Sequence, residues 1–448
     1  MSDTALESFE LLGPSAVALS WLGLWRPPGG RRPGFRLLGA AFVTAVNVSA
    51  CLNSGTQMLV DTPADPAVFR EVFFLYTCTF SWTIRLVTFM LYRKRLQQMV
   101  LSLLDARRLF PDNGTGVREK YSRTASTVWK LWQTLPAVTV MLWMGDPLIR
   151  TLTSSQANNS TRPLIFWLPV DVQHSPAYEI TYAIQAVGAG AAGETSILLD
   201  VFFVVLLTHA ASELAVLNKN IEGIGLSKLR DRVNEAERDM SVQLQESRTD
   251  EMSRSQPSYT LNGCLPAPVI SVGSSGNHFF LNRDDNRWTL YSTLVKNIRH
   301  HQLIISYIKD LEVVTSTSVY LLLLANALNV CLHSFGFVAL FQEGATRSTV
   351  IKEMISFPSF LGQTALYCFF GQLVIDQAER LQFSAFSCAW PQADRRFRRS
   401  LRIFMLQAAR PLSIRVGKLV QLSRSTFLQA LNTSYTIFNM LFNVEKRN

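Results

Sequence analysis

Charge is scarce in this chain. Of its 448 residues only 17% are Asp, Glu, Lys or Arg, whereas 48% are hydrophobic. Mean hydropathy is positive. Water-soluble domains need a more polar surface, so this balance indicates an integral membrane protein. Cysteine is equally sparse. Cys51, Cys78, Cys264, Cys331, Cys368 and Cys388 lie mostly in or beside apolar stretches without paired spacing, which argues against a zinc site and a disulfide framework. Enzyme signatures are missing as well. There is no His-Glu-x-x-His, no Gly-rich phosphate loop ending in Lys-Ser or Lys-Thr, and no nucleophile elbow. No catalytic residue, cofactor or metal is therefore expected. His300-His301 lacks ligand-spaced partners and reads as a solvated helix start. The net charge of +10 does not signal nucleic acid, because Lys and Arg cluster in alternate connections between apolar segments.

Those apolar segments are long enough to cross a bilayer, which takes about 20 residues per helix. Seven spans are predicted, at about 37–60, 66–92, 126–152, 177–208, 311–341, 350–377 and 421–444. Ahead of them, Ala16 to Trp25 is too short to span and follows Asp3, Glu7 and Glu10 rather than basic residues. It reads as an interfacial or re-entrant helix and not as a signal peptide. Basic clusters near Arg31, Arg107 and Arg396 place the N-terminus in the cytoplasm and the C-terminus outside. Asn158 and Asn159 are overlapping glycosylation acceptors in the loop after the third span. Arg85, inside the second span, reads as snorkelling toward the cytoplasmic face.

The fold class is thus all-α integral membrane, divided into six stretches. Residues 1–36 form a cytoplasmic N-terminus, and 37–217 carry helices one to four. Residues 218–303 form a long cytoplasmic loop, partly disordered by composition, and 304–377 carry helices five and six. A short helix falls within 378–412, and the last span within 413–448. In the fourth span, Gly188 to Gly193 is built of small residues that permit close helix approach. Glu194 and Asp200 follow, as ion or ligand contacts or as structural partners of a neighbouring helix. In the last span Asn432, Thr436, Asn439 and Asn443 recur every three to four residues and share one side of a helix. The adjacent stripe holds Thr433, Ile437, Met440 and Val444. This pattern fits a pore helix closed by dewetting, or amides bonded between helices of an ordinary bundle.

A seven-helix receptor coupled to G proteins would have its N-terminus outside, and the Asp-Arg-Tyr and Asn-Pro-x-x-Tyr patterns of that class are absent. The chain instead resembles the insect odorant receptors. The resemblance runs from Gly23-Leu-Trp-Arg-Pro27 through Leu168-Pro-Val-Asp171 and Ser175-Pro-Ala-Tyr178 to a dense C-terminal part. That part contains Ala385 to Trp390, Phe404-Met405, Ala409-Arg-Pro411, Gly417, Leu422-Ser423, Phe427 and Ser434-Tyr-Thr-Ile-Phe438, in order.

The resemblance implies a subunit of a tetrameric, odorant-gated, nonselective cation channel whose last helices line one pore. It assigns the gate to Met440 and Val444 and the polar path to Asn443, with Asn439 of the same polar stripe counted to the pore, and 378–412 as a cytoplasmic anchor. It implies a small volatile organic ligand among Phe73, Tyr76, Trp143, Met144, Tyr178, Tyr182, Phe360, Thr364 and Tyr367. The C-terminal residues do not resemble those of the family's co-receptor, so an odorant-tuning subunit is expected, paired with that co-receptor in a heterotetramer. The expected setting is membrane lipid, in the plasma membrane of olfactory sensory neurons, with no nucleic acid. The alternatives are a co-receptor-like or homomeric channel subunit and a metabotropic seven-helix receptor.

Overall fold

The computed structural model describes residues 3–28, 34–63, 65–112, 115–153, 164–168, 172, 174–225, 237–238, 240–241, 277–343 and 347–445. Among them are eleven helices: α1 (Asp3–Leu12), α2 (Pro14–Trp21), α3 (Gly34–Val60), α4 (Pro66–Leu91), α5 (Arg93–Leu109), α6 (Val117–Thr153), α7 (Ala177–Glu222), α8 (Asn277–Glu343), α9 (Arg347–Phe386), α10 (Arg395–Ala408) and α11 (Arg424–Glu445). A two-stranded antiparallel hairpin, β1 (Arg415–Val416) and β2 (Val420–Gln421), precedes α11. The expected spans accordingly lie in α3, α4, α6, α7, α8, α9 and α11, and the protein is a multi-pass helical membrane protein. Four helices, α3, α4, α7 and α8, are long and apolar enough to cross by composition alone. The other three are more polar, with Lys130 and Asp146 in α6, Ser, Thr and Gln residues along α9, and the amides and hydroxyls of α11.

Several boundaries differ from the sequence expectation, and α6 from Val117 and α7 to Glu222 run well beyond the expected spans. The N-terminal element is two short helices rather than one, with Pro14 opening the second. The last helix starts at Arg424, because the preceding residues pair as the hairpin. The helix of the fifth span begins at Asn277, so the end of the expected loop is helical. Most of that loop, with Asn158 and Asn159, lies outside the described residues. His300 and His301 are buried on α8, contrary to the solvated start expected.

The chain forms two compact units. The first comprises 1–214, 303–377 and 412–448. The apolar stretch of α7 is fully buried, whereas only 28% of that of α3 is, so α7 is central and α3 peripheral. Lipid tails are as apolar as leucine, so close packing and interhelical hydrogen bonds must hold such helices together. The small-residue stretch serves that purpose. A methyl on Gly193 would fall 2.7 Å from the Val140 side chain of α6, and one on Gly188 would fall 3.0 Å from Val46 of α3.

A charged knot closes one end of this unit. Glu213, 2% exposed, accepts from Arg107 Nε at 3.0 Å and from Arg118 Nη2 at 2.6 Å. Arg107 also contacts His209 Nδ1 at 3.0 Å, and the His209 Nε2–H donates to the Leu11 carbonyl at 2.8 Å. Three elements, α5, α6 and α7, are thus tied through one carboxylate, and α1 joins them through His209. Glu213→Ala is expected to cost about 3 kcal/mol, at the low end for a broken buried pair because both arginines keep some solvent contact. Thermal melting of the detergent-solubilised protein checks this, and an unchanged midpoint would refute it.

The second unit comprises 215–302 and 378–411. Its α10 buries Phe397, Leu401, Phe404 and Ala408 at helical spacing and exposes Arg396, Arg398, Arg399 and Arg402. The Ala389 N–H donates to the Ile224 carbonyl at 3.1 Å, fixing the turn after α9 onto the end of α7. Burial pushes the Cys388 thiol up to about 11, which leaves it unreactive.

Candidate functional site

Local sequence positions the last helix. Ser434 is its buried point, and its hydroxyl contacts the Ala327 carbonyl of α8 at 3.2 Å. On other faces Asn432, Thr433, Thr436, Met440 and Asn443 are exposed, while Ile437 and Asn439 are half-buried. The Val444 side chain lies outside those described. Among the described residues, therefore, much of the α11 surface is exposed.

A cavity of about 160 Å³ opens between α4, α6, α7, α9 and the segment 164–168. Its walls are largely aromatic and aliphatic. Phe74 of α4 packs against Trp143 of α6 at 4.4 Å and edge-on to Phe360 of α9 at 5.4 Å. Ile165, Phe166 and Ala189 cluster with Met144 and Tyr182 on another side. The polar lining is Glu71, Thr79, Thr139, Asp146 and Lys352. Lys352, 3% exposed, donates to Glu71 Oε1 at 2.9 Å and to Asp146 Oδ2 at 3.1 Å, and its ammonium stands 4.1 Å from the centre of the Trp143 ring.

Of the residues expected around the ligand, Trp143, Met144 and Phe360 line this cavity. The other six do not. Tyr182 sits behind the wall with its hydroxyl donating to the Met144 carbonyl, and Tyr178 stacks on it at 6.0 Å. Phe73 stacks on Phe69, and Tyr76 faces Phe80 at 5.8 Å. Thr364 and Tyr367 belong to a different cluster, deeper in the bundle. The sequence reading omitted Glu71, Asp146 and Lys352, although an ionisable residue inside an apolar span is itself the signal.

That deeper cluster corrects the reading of Arg85, which does not snorkel. It is fully buried and paired with Asp200, and its other amino group donates to Ser196. The Asp200 carboxylate also accepts from Gln363 Nε2 at 2.6 Å and from the Tyr367 hydroxyl at 2.9 Å. Asn326 Nδ2 then donates to Gln363 Oε1 at 3.0 Å. Asp200 is thus a structural partner of a neighbouring helix, and Glu194 accepts from Gln133 Nε2 of α6.

The architecture is similar to solved structures of the insect olfactory receptor OR5 from Machilis hrabei. With its eugenol complex the TM-score is 0.71 at 15% identity, over 99% of this chain and 100% of that one. Without ligand it is 0.72 at 16% identity over the same shares. At that identity the likeness establishes the fold alone. Among curated relatives, Odorant receptor 85c of Drosophila melanogaster is 27% identical over 35% of this chain and 40% of its own length. Odorant receptor 59a of the same organism is 24% identical over 62% of this chain and 60% of its own. The chain covers less than two thirds of either relative. The model of the family described as 7tm Odorant receptor matches residues 65–435, and the chain belongs to that family.

Proposed function

We propose that this protein is an odorant-tuning subunit of a ligand-gated, nonselective cation channel, a receptor and not an enzyme. It would assemble with a co-receptor subunit in the plasma membrane of olfactory sensory neurons. The observation that carries the reading is a mostly apolar cavity in the helix bundle of a chain whose last helix leaves Asn432, Thr436 and Asn443 exposed. The eugenol held by the OR5 structure supports a small aromatic volatile as the class of ligand.

Burial of such a molecule contributes roughly 25 cal/mol per Å² of apolar surface, and a few polar groups orient it. The ligand shifts gating only by its difference in affinity between the closed and open states. In the open state Met440 and Val444 leave the axis, and Asn439 and Asn443 face the permeating ion. Phe73, Tyr76, Tyr178, Tyr182, Thr364 and Tyr367 then act from outside the cavity lining, the last two from the polar cluster around Asp200. Asn158 and Asn159 are proposed to carry glycans on the outer face.

Whole-cell recording with and without an insect co-receptor, using a broad volatile panel under GTP blockade, tests the reading. Rapid GTP-independent current requiring both chains is the expected result, with altered permeation in Asn443→Ala. Current from this chain alone would make it a homomeric or co-receptor-like subunit. Absence of current with both chains at the surface would overturn the channel role.

A further inference from the structure

One turn of α8 touches both the cavity wall and the last helix. Asn326 and Asn329, 2% and 1% exposed, stand three residues apart and share a face. That face meets the two helices that carry Phe74 and Phe360 into the cavity. Asn329 Nδ2 donates to Cys78 Sγ at 3.6 Å, and Cys78 itself lines the cavity. Asn329 Oδ1 lies 2.7 Å from the Thr77 hydroxyl, one turn of α4 after Phe74. On α9, Asn326 Nδ2 reaches Gln363 Oε1 at 3.0 Å and Thr364 Oγ1 at 3.2 Å, one turn after Phe360. Between the two amides, the Ala327 carbonyl lies 3.2 Å from the hydroxyl of Ser434, the buried point of α11. The Ser316 carbonyl, earlier on α8, accepts the Gly417 N–H of the hairpin at 2.9 Å. The last helix and its hairpin are thus both hung on α8.

The two hydroxyls at the ends of this link share a property. Each has one proton and two acceptors within reach. The Thr77 hydroxyl stands 2.7 Å from Asn329 Oδ1 and 2.9 Å from the Phe74 carbonyl of its own helix. The Ser434 hydroxyl stands 3.2 Å from the Ala327 carbonyl and 2.9 Å from the Ala430 carbonyl of its own helix. Serine and threonine commonly bond back to the preceding turn in this way. Either hydroxyl can therefore let go of α8 without stranding its proton in a dry interior, which removes most of the usual cost of breaking a buried bond. Such a link has two discrete arrangements, and a two-state element is what coupling between sites requires.

We infer that this turn of α8 carries the state of the cavity to the last helix, with Thr77 and Ser434 as positioning residues that bond across to α8 in the closed channel and back to their own helices in the open one. The inference rests on the cavity being the odorant site and on α11 lining the pore. A ligand that displaces Phe74 or Cys78 turns the Thr77 proton from Asn329 to the Phe74 carbonyl. Freed from α4, α8 shifts, the Ser434 proton turns to Ala430, and α11 is released.

The test is recording from cells expressing this chain with a co-receptor, with current counted per receptor at the surface. Thr77→Val keeps the shape of the side chain, lies outside the cavity lining and removes the proton. Thr77→Val and Ser434→Ala are each expected to raise the ligand-free ratio of open to closed channels about threefold, the size of an average interhelical hydrogen bond in a membrane. Because the two bonds act in series, the double variant should rise no further than the larger single one. Thr77→Ser retains the hydroxyl and should match the unaltered chain, which a packing defect would not. The cavity is filled without reference to its natural ligand by tethering benzyl methanethiosulfonate to Ala189→Cys, with mass spectrometry confirming attachment. The attached ring is expected to raise the ratio at least tenfold, and to raise it about threefold less when Thr77→Val is also present. A ninefold rise in the double variant, or a tether as effective with Thr77→Val as without it, overturns the inference and leaves the cavity as the site. An attached ring that leaves a conducting channel unchanged removes the cavity from gating, and the reading on which the inference rests fails with it.

Discussion

Alanine at Asp200 is expected to cost about 3 to 5 kcal/mol and to abolish most delivery of the protein to the cell surface. The side chains of Arg85 and Asp200 are 0% and 1% exposed, so removing the carboxylate strands a guanidinium where no water reaches it. Gln363 Nε2 and the Tyr367 hydroxyl lose their acceptor in the same step. The pair as a whole contributes far less than either half costs when removed alone, because desolvation offsets most of its attraction. Arg85→Met combined with Asp200→Leu should therefore restore much of what Asp200→Ala loses. Surface labelling together with detergent melting compares the two, and a single variant as stable as the double would refute the argument. The network also ends beside the last helix, since Asn326 bonds Gln363 and the adjacent Ala327 carbonyl accepts from Ser434.

A second large effect is expected at the hairpin that launches α11. Gly371 of α9 lies so near Leu422 that a methyl there would stand 2.5 Å from both the Leu422 carbonyl oxygen and its Cβ. A carbonyl cannot rotate away as the end of a long side chain can, so Gly371→Ala has to displace the start of α11. Overpacking of this kind costs about 1–3 kcal/mol. In the hairpin itself Gly417 and Lys418 both have positive φ, at 59° and 62°, as the turn between β1 and β2 demands. The Gly417 N–H donates to the Ser316 carbonyl at 2.9 Å, and a methyl on it would fall 2.6 Å from the Tyr320 ring. Gly417→Ala adds backbone strain to that clash. Both variants are expected to lose nearly all ligand-evoked current per receptor counted at the surface. Normal current from either would mean that the hairpin does not set the position of the last helix.

The sequence by itself determined the membrane class, the helical segments and the contrast between the faces of the last helix, because length, apolarity and helical period are properties of neighbouring residues. The run Gly188 to Gly193 announced close packing for the same reason, since a missing side chain allows approach whichever helix comes near. The partners of intramembrane charge were decided only by tertiary structure. Period tells which face of α4 carries Arg85, but not that α7 brings Asp200 to it across 115 positions of chain. The hairpin was equally hidden, because strands of two residues are too short to show alternation. The cavity was the hardest to foresee. Trp143, Met144 and Phe360 were legible as aromatic or soft residues near an interface, but Lys352, Glu71 and Asp146 come from three helices and acquire meaning only once packing sets them around one volume. Local pattern fixes what each segment hides or shows, and the crossing of helices decides which hidden groups meet.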